Sequence, residues 1–307
     1  MLAYAVSSEI EIHDSRVGPV RDLGPIYFEI TNNDKLRMPV LRRRDFNPFF
    51  ALAEFSWFYE GSNSLAPLEY FLSHYKDFSD DGVTLNGAYG YRLRRLSVDQ
   101  IKVAIRELQK NPNSRRVVLN MWTTEDLGSD SKDIPCNTSI MLKIRQGQLD
   151  MTVINRSNDL FLGVPYNVLM FYLLQVYLSK ELKCMVGFQR HFTDSLHLYQ
   201  RDLKKAKDIL DCNNIKEMES LSSKVNLFDI SQYLEVNHQS VLNLEFESIN
   251  VPIFRDLFLS YNQFRESRDF KSSLNLIPDN LLGYIAYLWY SNKKDFNEQY
   301  NMHFKHC

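Results

Sequence analysis

A chain of 307 residues with 44% hydrophobic, 13% aromatic and 24% charged side chains can bury a large core, which excludes a disordered or fibrous protein. Its formal net charge of −2 gives no general attraction to nucleic acid or an anionic membrane, so any phosphate must be held by locally placed arginines. The four cysteines form no Cys-x-x-Cys pair, the N-terminal MLAYAVSSEIEIH lacks a basic-then-apolar leader, and the apolar stretch Val168 to Leu178 is too short to span a bilayer; a reduced, cytoplasmic protein is expected.

In chain order, Arg16 precedes Val17-Gly18 and Arg21 precedes Asp22, placing two guanidinium groups in predicted turns. Turn arginines suit a phosphate clamp, although such residues are ordinarily just solvated. Phe46 to Tyr59 has the spacing of an amphipathic helix. Glu54 falls beside its apolar stripe, because Phe50, Trp57 and Phe58 lie four before, three after and four after it. Burial there would raise the carboxyl pKa and suit proton transfer near neutrality; the alternative is a rim glutamate reaching solvent. A second helix is predicted over Asp99 to Gln109, and Arg115-Arg116 follow the turn Asn111 to Ser114.

Arg116 to Trp122, Ser139 to Arg145 and Gln148 to Ile154 read as strands, the last two joined by a Gln146-Gly147 hairpin turn. Cys136 follows Pro135 and opens the hairpin, so its sulfur can stand at the mouth of a cleft. A free cysteine is more often a small buried hydrophobe. Arg156-Ser157-Asn158-Asp159 closes the second hairpin strand beside Cys136, where Arg156 can hold an anion and lower the thiol pKa. The same four residues also suit a plain capping turn before the helix predicted over Tyr166 to Lys180. His197 and Tyr199 alternate along an extended segment and face one side, as donors for sugar hydroxyls.

The order of elements is not a regular alternation, so the expected fold is α/β in the α+β sense: a mixed, antiparallel-rich sheet covered by helices. From Asn213 onward the texture changes, with one glycine and apolar residues at helical spacing after Pro252 and after Pro278-Asp279. The chain is therefore divided into a main body, 1–212, and a helical C-terminal elaboration, 213–307. There is no Gly-x-Gly element for a dinucleotide or P-loop site. His191 and His197 lack a third ligand at a familiar spacing, so no metal is expected.

Together these pieces resemble the thymidylate synthase and pyrimidine-nucleotide hydroxymethylase family from about Arg16 to Tyr199. INRSNDLFLGVPYN, Ile154 to Asn167, is similar to that family's Arg-Ser-x-Asp-x-x-Leu-Gly-x-Pro-Phe-Asn signature. AEFSWFYEG, NGAYGYRLR, NPNSRRVVL, IPC and SLHLY support it. The resemblance implies a folate-dependent one-carbon transfer from 5,10-methylenetetrahydrofolate to C5 of a pyrimidine nucleoside monophosphate, with Cys136 adding to C6 and Glu54 managing proton transfers through water. It implies that Arg16, Arg156 and Ser157, with Arg21 as an addition, hold the 5′-phosphate, joined by Arg115 and Arg116 from the partner subunit of a homodimer. It further implies that Asn167 reads the base edge, that Asp159 supports base and folate, and that His197 and Tyr199 bind the sugar.

Three departures bear on the outcome. Asn137 follows Cys136 where many synthases have histidine, which alters hydrogen bonding around the base carbonyl. No tryptophan occurs in His74 to Gly82, leaving Tyr75 and Phe78 as the aromatics on the folate side, and the terminal NMHFKHC does not resemble a synthase closing tail. These lean toward a hydroxymethylase, while Asn167, where deoxycytidylate enzymes tend to have aspartate, favours a uracil base. Thymidylate synthase and a catalytically idle nucleotide-binding homologue are the rival readings.

Overall fold

The computed structural model describes residues 1–7, 10–30, 37–213 and 228–296. The tail NMHFKHC, on which one departure rests, lies outside the described residues. Seven strands form one sheet: β1 (Ile12–His13), β2 (Val20–Asp22), β3 (Ile26–Ile30), β4 (Val118–Asn120), β5 (Asn137–Arg145), β6 (Gln148–Asp159) and β7 (Met185–Tyr199). Their order is β1-β2-β7-β6-β5-β4, with β3 also paired to β7. Every pairing is antiparallel except β6 with β7, so the sheet is mixed and antiparallel-rich as expected. That parallel pair needs a crossover, which α6 (Gly163–Leu182) supplies.

Local chemistry explains the elements. Gln146 and Gly147 have φ of 51° and 71°, the left-handed pair that a tight two-residue hairpin requires, and Gly147 adopts it without a Cβ penalty. β4 is shorter than the segment Arg116 to Trp122 expected as strand, since pairing with β5 runs only from Val118 to Asn120. Arg21 is not in a turn: it lies on β2, opposite Leu198, and its guanidinium donates to the Ser7 carbonyl.

The remaining helices are α1 (Leu2–Ala5), α2 (Pro48–Tyr59), α3 (Ala66–Phe71), α4 (Tyr89–Arg94), α5 (Gln100–Lys110), α7 (Leu203–Cys212), α8 (His238–Leu242), α9 (Pro252–Ser267), α10 (Phe270–Leu274) and α11 (Leu281–Ser291). Asn47 caps α2 by accepting from the Phe50 amide at 3.0 Å, and Pro48 starts it with a preset φ. Asp99 caps α5 in the same way. α2 is not the amphipathic helix its spacing suggested, because it is buried on every side. From Pro48 to Phe58 only Glu54 escapes full burial.

The core explains why. One face of α2 meets α6 and the sheet, and the other meets residues 228–296. Phe49 packs on Tyr261, Trp289 and Tyr290 at 4.9, 5.3 and 5.7 Å between ring centroids. Ser56 Oγ is 2.7 Å from the Tyr233 hydroxyl and 3.0 Å from His238 Nδ1, a buried polar knot in an otherwise apolar contact. A smaller core of Leu160, Phe161, Val164, Leu196, Leu198, Ala206 and Ile209 closes the far end of β6 and β7 under α7.

Candidate active site

The site lies where β5 begins and β6 ends. Asn137 pairs with Asn155 and Ser139 with Ile154, so one extra residue, Thr138, bulges β5 two residues after Cys136. Such a bulge re-aims the chain at a sheet edge. The Arg156 amide donates to the Cys136 carbonyl at 2.9 Å, and the Arg156 side chain wraps back over the same segment. Its Nε and Nη2 donate to the carbonyls of Pro135 and Ile134, each at 3.0 Å, and Nη2 stands 3.8 Å from Cys136 Sγ. The guanidinium also lies over Trp122, 5.6 Å from the ring centre. Arg16 donates to the Lys132 carbonyl at 2.7 Å, so two arginines predicted to hold phosphate touch the strand of chain that carries the thiol.

The thiol differs from expectation. Arg156 pulls its pKa down, but burial is the larger effect and pushes the Cys136 thiol above its ordinary value, with Asp133 and Asp159 adding to the rise. In the free protein Cys136 is therefore a protonated thiol beside a cation, and its activation needs a change in its surroundings.

Glu54 behaves as its sequence position suggests. Burial raises its carboxyl to about 7, opposed by a hydrogen bond from the Tyr75 hydroxyl at 3.1 Å. Phe50 and Phe78 flank Tyr75 at 5.3 and 5.7 Å, and Phe78 is exposed at the rim. This wall of rings beside a carboxyl group suits a flat heterocycle.

The far end of β6 is equally ordered. Asp159 Oδ1 accepts from the amides of Phe161 and Leu162 at 2.7 and 3.1 Å, so it forms the capping turn before α6 and, raised by burial, remains near His197. Asn167, on the first turns of α6, donates through Nδ2 to Asn158 Oδ1 at 3.3 Å and is largely buried. Ser157 Oγ lies 3.4 Å from His197 Nδ1, and the His197 and Tyr199 rings meet edge-on at 5.1 Å on one face of β7. Asn137 is fully buried against the Tyr89 hydroxyl, whose pKa it lowers against the larger effect of burial.

Electrostatic neighbours link these pieces into one site. Tyr75 feels Glu54, Asp133 and Tyr89; Tyr89 feels Cys136 and Asp133; Tyr199 feels Asp159 and Cys136. Arg21 joins none of these contacts. Arg115 and Arg116 are exposed after the Asn111 to Ser114 turn and face solvent. Sequence reasoning assigned no role to Tyr89 or Asp133, although both stand in quoted or adjacent stretches: NGAYGYRLR contains the tyrosine and the aspartate precedes IPC. Among the described residues no group of three or more His, Cys, Asp and Glu is placed to hold a metal ion.

The thymidylate synthase family model matches residues 25–244. Among relatives, the deoxyuridylate hydroxymethyltransferase of Pseudomonas phage M6 is 36% identical over 212 residues, covering 68% of this chain and 60% of that protein. The enzyme of the same name from Bacillus phage SP01 is 32% identical over 197 residues, covering 60% and 51%. The thymidylate synthase of Mycoplasma genitalium is 30% identical over 132 residues, covering 43% and 46%. The chain thus spans about half to three fifths of the length of the curated relatives it matches. In fold it is similar to the thymidylate synthase of T4 phage, with a TM-score of 0.59 at 22% identity over 69% of this chain and 80% of that one. With the family model spanning most of the chain, the chain belongs to the thymidylate synthase family.

Proposed function

We propose that this chain transfers a one-carbon unit to C5 of dUMP and releases the hydroxymethylated nucleotide, with 5,10-methylenetetrahydrofolate as the donor and no metal. The observation that carries the reading is Cys136 Sγ standing 3.8 Å from the Arg156 guanidinium, in one electrostatic neighbourhood with Tyr89 and Asp159. The names borne by the Pseudomonas and Bacillus phage relatives support the hydroxymethyl outcome and the uracil base.

In this reading Arg16, Arg156 and Ser157 bind the 5′-phosphate and His197 with Tyr199 the sugar hydroxyl. Phosphate binding draws the two guanidinium groups off the 132–135 carbonyls and sets the sulfur under C6. Attack by Cys136 at C6 makes C5 nucleophilic. Asn167 hydrogen-bonds the base edge, and Asn137 and Tyr89 stand beside the carbon that reacts. Glu54, poised near 7, exchanges protons with the base carbonyl through water. The donor supplies a carbon at the oxidation level of formaldehyde, and Tyr75, Phe78 and Asp159 are the residues that would hold its pterin. C5 attacks the donor's methylene carbon, loss of the C5 proton expels the folate nitrogen as tetrahydrofolate and leaves an exocyclic methylene, and water adds to that carbon as the Cys136 bond to C6 breaks, giving the hydroxymethylated base.

The sheet face opposite the core supports a homodimer. Val118, Met141, Phe188, Phe192 and Tyr27 are all exposed on it, around the Arg190 ion pairs with Glu29 and Asp150. A second copy covering this apolar face would bring Arg115 and Arg116 to its partner's phosphate site. Among the described residues no helix is long and apolar enough to cross a membrane, which fits a cytoplasmic enzyme. The helices of 228–296 then hold α2, and with it Glu54, from behind.

Reductive methylation to dTMP is the second reading, favoured by the name of the Mycoplasma relative. Incubation with dUMP, dCMP, UMP or CMP and methylenetetrahydrofolate, followed by mass analysis of nucleotide and folate, decides. Hydroxymethylated dUMP with tetrahydrofolate is expected. Methylated dUMP with dihydrofolate establishes a synthase, and no product from any nucleotide sinks both readings in favour of an idle homologue.

A further inference from the structure

The segment that carries the nucleophile is fixed from several sides, and one of its ties is a carboxylate. Asp133 Oδ2 accepts from the Gly87 amide at 2.7 Å, and the Asp133 carbonyl accepts from Asn86 Nδ2 at 3.1 Å. Gly87 makes this approach possible, because a Cβ at that position would lie 2.7 Å from Asp133 Oδ1. The receiving turn is itself rigid: Arg92 Nε donates to the Asn86 carbonyl at 2.7 Å, and the same guanidinium forks onto Asp126 at 2.7 and 2.8 Å in the interior. Two residues after Gly87 the chain enters α4, whose first residue is Tyr89. On the other flank Asp80 accepts from the Ser131 hydroxyl and, at 2.9 Å, from the Lys132 amide.

We propose that Asp133 is a positioning residue for the nucleophile: it clamps residues 132–136 onto the Asn86-Gly87 turn, holding Cys136 against Tyr89 and Arg156. The proposal rests on the reading of Cys136 as the attacking group. A carboxylate is a costly choice for a mere tether, because the half-buried group resists ionisation and a serine or asparagine would make the same bond. Its charge has an effect a neutral tether lacks, since Asp133 favours the protonated thiol of Cys136. The other titratable groups facing that sulfur are Arg156 and Asp159 from β6, Arg16 from the turn before β2, Tyr89 from α4 and Tyr199 from β7. Asp133 therefore acts on the nucleophile twice, through its place and through its protonation.

The test separates the two effects in the full chain. Asp133→Asn keeps an acceptor for the Gly87 amide and loses the charge; Asp133→Ala loses both. Alkylation of Cys136 by iodoacetamide, followed against pH by peptide mass analysis, reads the thiol without turnover. The Asp133→Asn profile is expected to move to lower pH. Asp133→Ala is expected to lower kcat on the order of tenfold or more, with KM for dUMP within about twofold, as misplacement of a reacting group does. An alkylation profile unshifted in both variants overturns the proposal, and so does a kcat loss that only follows loss of folded protein in the thermal midpoint. Should Asp133→Ala not fold, the Asp133→Asn profile decides alone. Turnover by Cys136→Ala would instead sink the covalent reading, whatever the Asp133 variants do.

Discussion

Around Cys136, the stretch from Ser131 to Asn137 is fixed by hydrogen bonds arriving from Asp80, Asn86, Gly87, Arg16 and Arg156; behind α2, residues 228–296 meet the rest of the molecule chiefly through aromatic rings. The first region is polar and half-exposed. The second is largely apolar and closely packed, apart from the Ser56-Tyr233-His238 contact. α2 belongs to both, with Glu54 toward the site and Phe49 and Ser56 toward the helices. The contrast teaches that the placement of Glu54 depends on packing by residues far along the chain, from 228 onward.

Substitutions should separate the two regions cleanly. Cys136→Ala is expected to lower kcat by at least about ten-thousandfold while leaving the melting temperature unchanged, measured by turnover and calorimetry on one preparation. Phe254→Ala, which removes a fully buried ring lying 4.8 Å from Tyr233, should cost about 3–5 kcal/mol in urea unfolding. A loss confined to activity there would break the comparison. Glu54→Gln should cut kcat by about a hundredfold with little change in nucleotide binding.

The two regions should also respond to pH with opposite signs. Glu54 is raised from 4.5 to about 7 in the folded protein, so the native state holds the extra proton between those values. Its contribution to stability is present below 4.5 and is lost as pH rises through about 7. His238 is lowered by burial from 6.5 to about 4, so its contribution is present above 6.5 and is lost as pH falls toward 4. Each effect is at most on the order of 3 kcal/mol. Melting curves against pH should lose the first slope in Glu54→Gln and part of the acid limb in His238→Gln; His191, lowered to about 3, keeps the rest. The smallest effect is expected at the surface. Arg116→Ala should raise KM for the nucleotide about tenfold without a change in melting temperature. In mixed dimers of Arg116→Ala with Cys136→Ala, the one site that has both residues should return to the unsubstituted KM; a KM that stays raised would place Arg116 outside the partner's site.

Much of this was legible in the residues themselves. The Gln146-Gly147 hairpin, the helix start at Pro252, the helix that follows Pro278-Asp279, and the pairing of His197 with Tyr199 follow from local rules of turn chemistry, φ and side-chain alternation, which act within a few residues. Ile154 to Asn167 carried the family because its spelling fixes several functional groups at once. Periodicity misjudged α2, since a helix enclosed by two layers has no polar face to reveal, and it placed Arg21 in a turn where β2 pairs instead with β7. Only the fold decided that burial outweighs Arg156 at the thiol, and that Asp133 lies on Gly87, forty-six residues earlier. Desolvation and such contacts depend on what surrounds a group from every side. A linear pattern records just the neighbours along the chain.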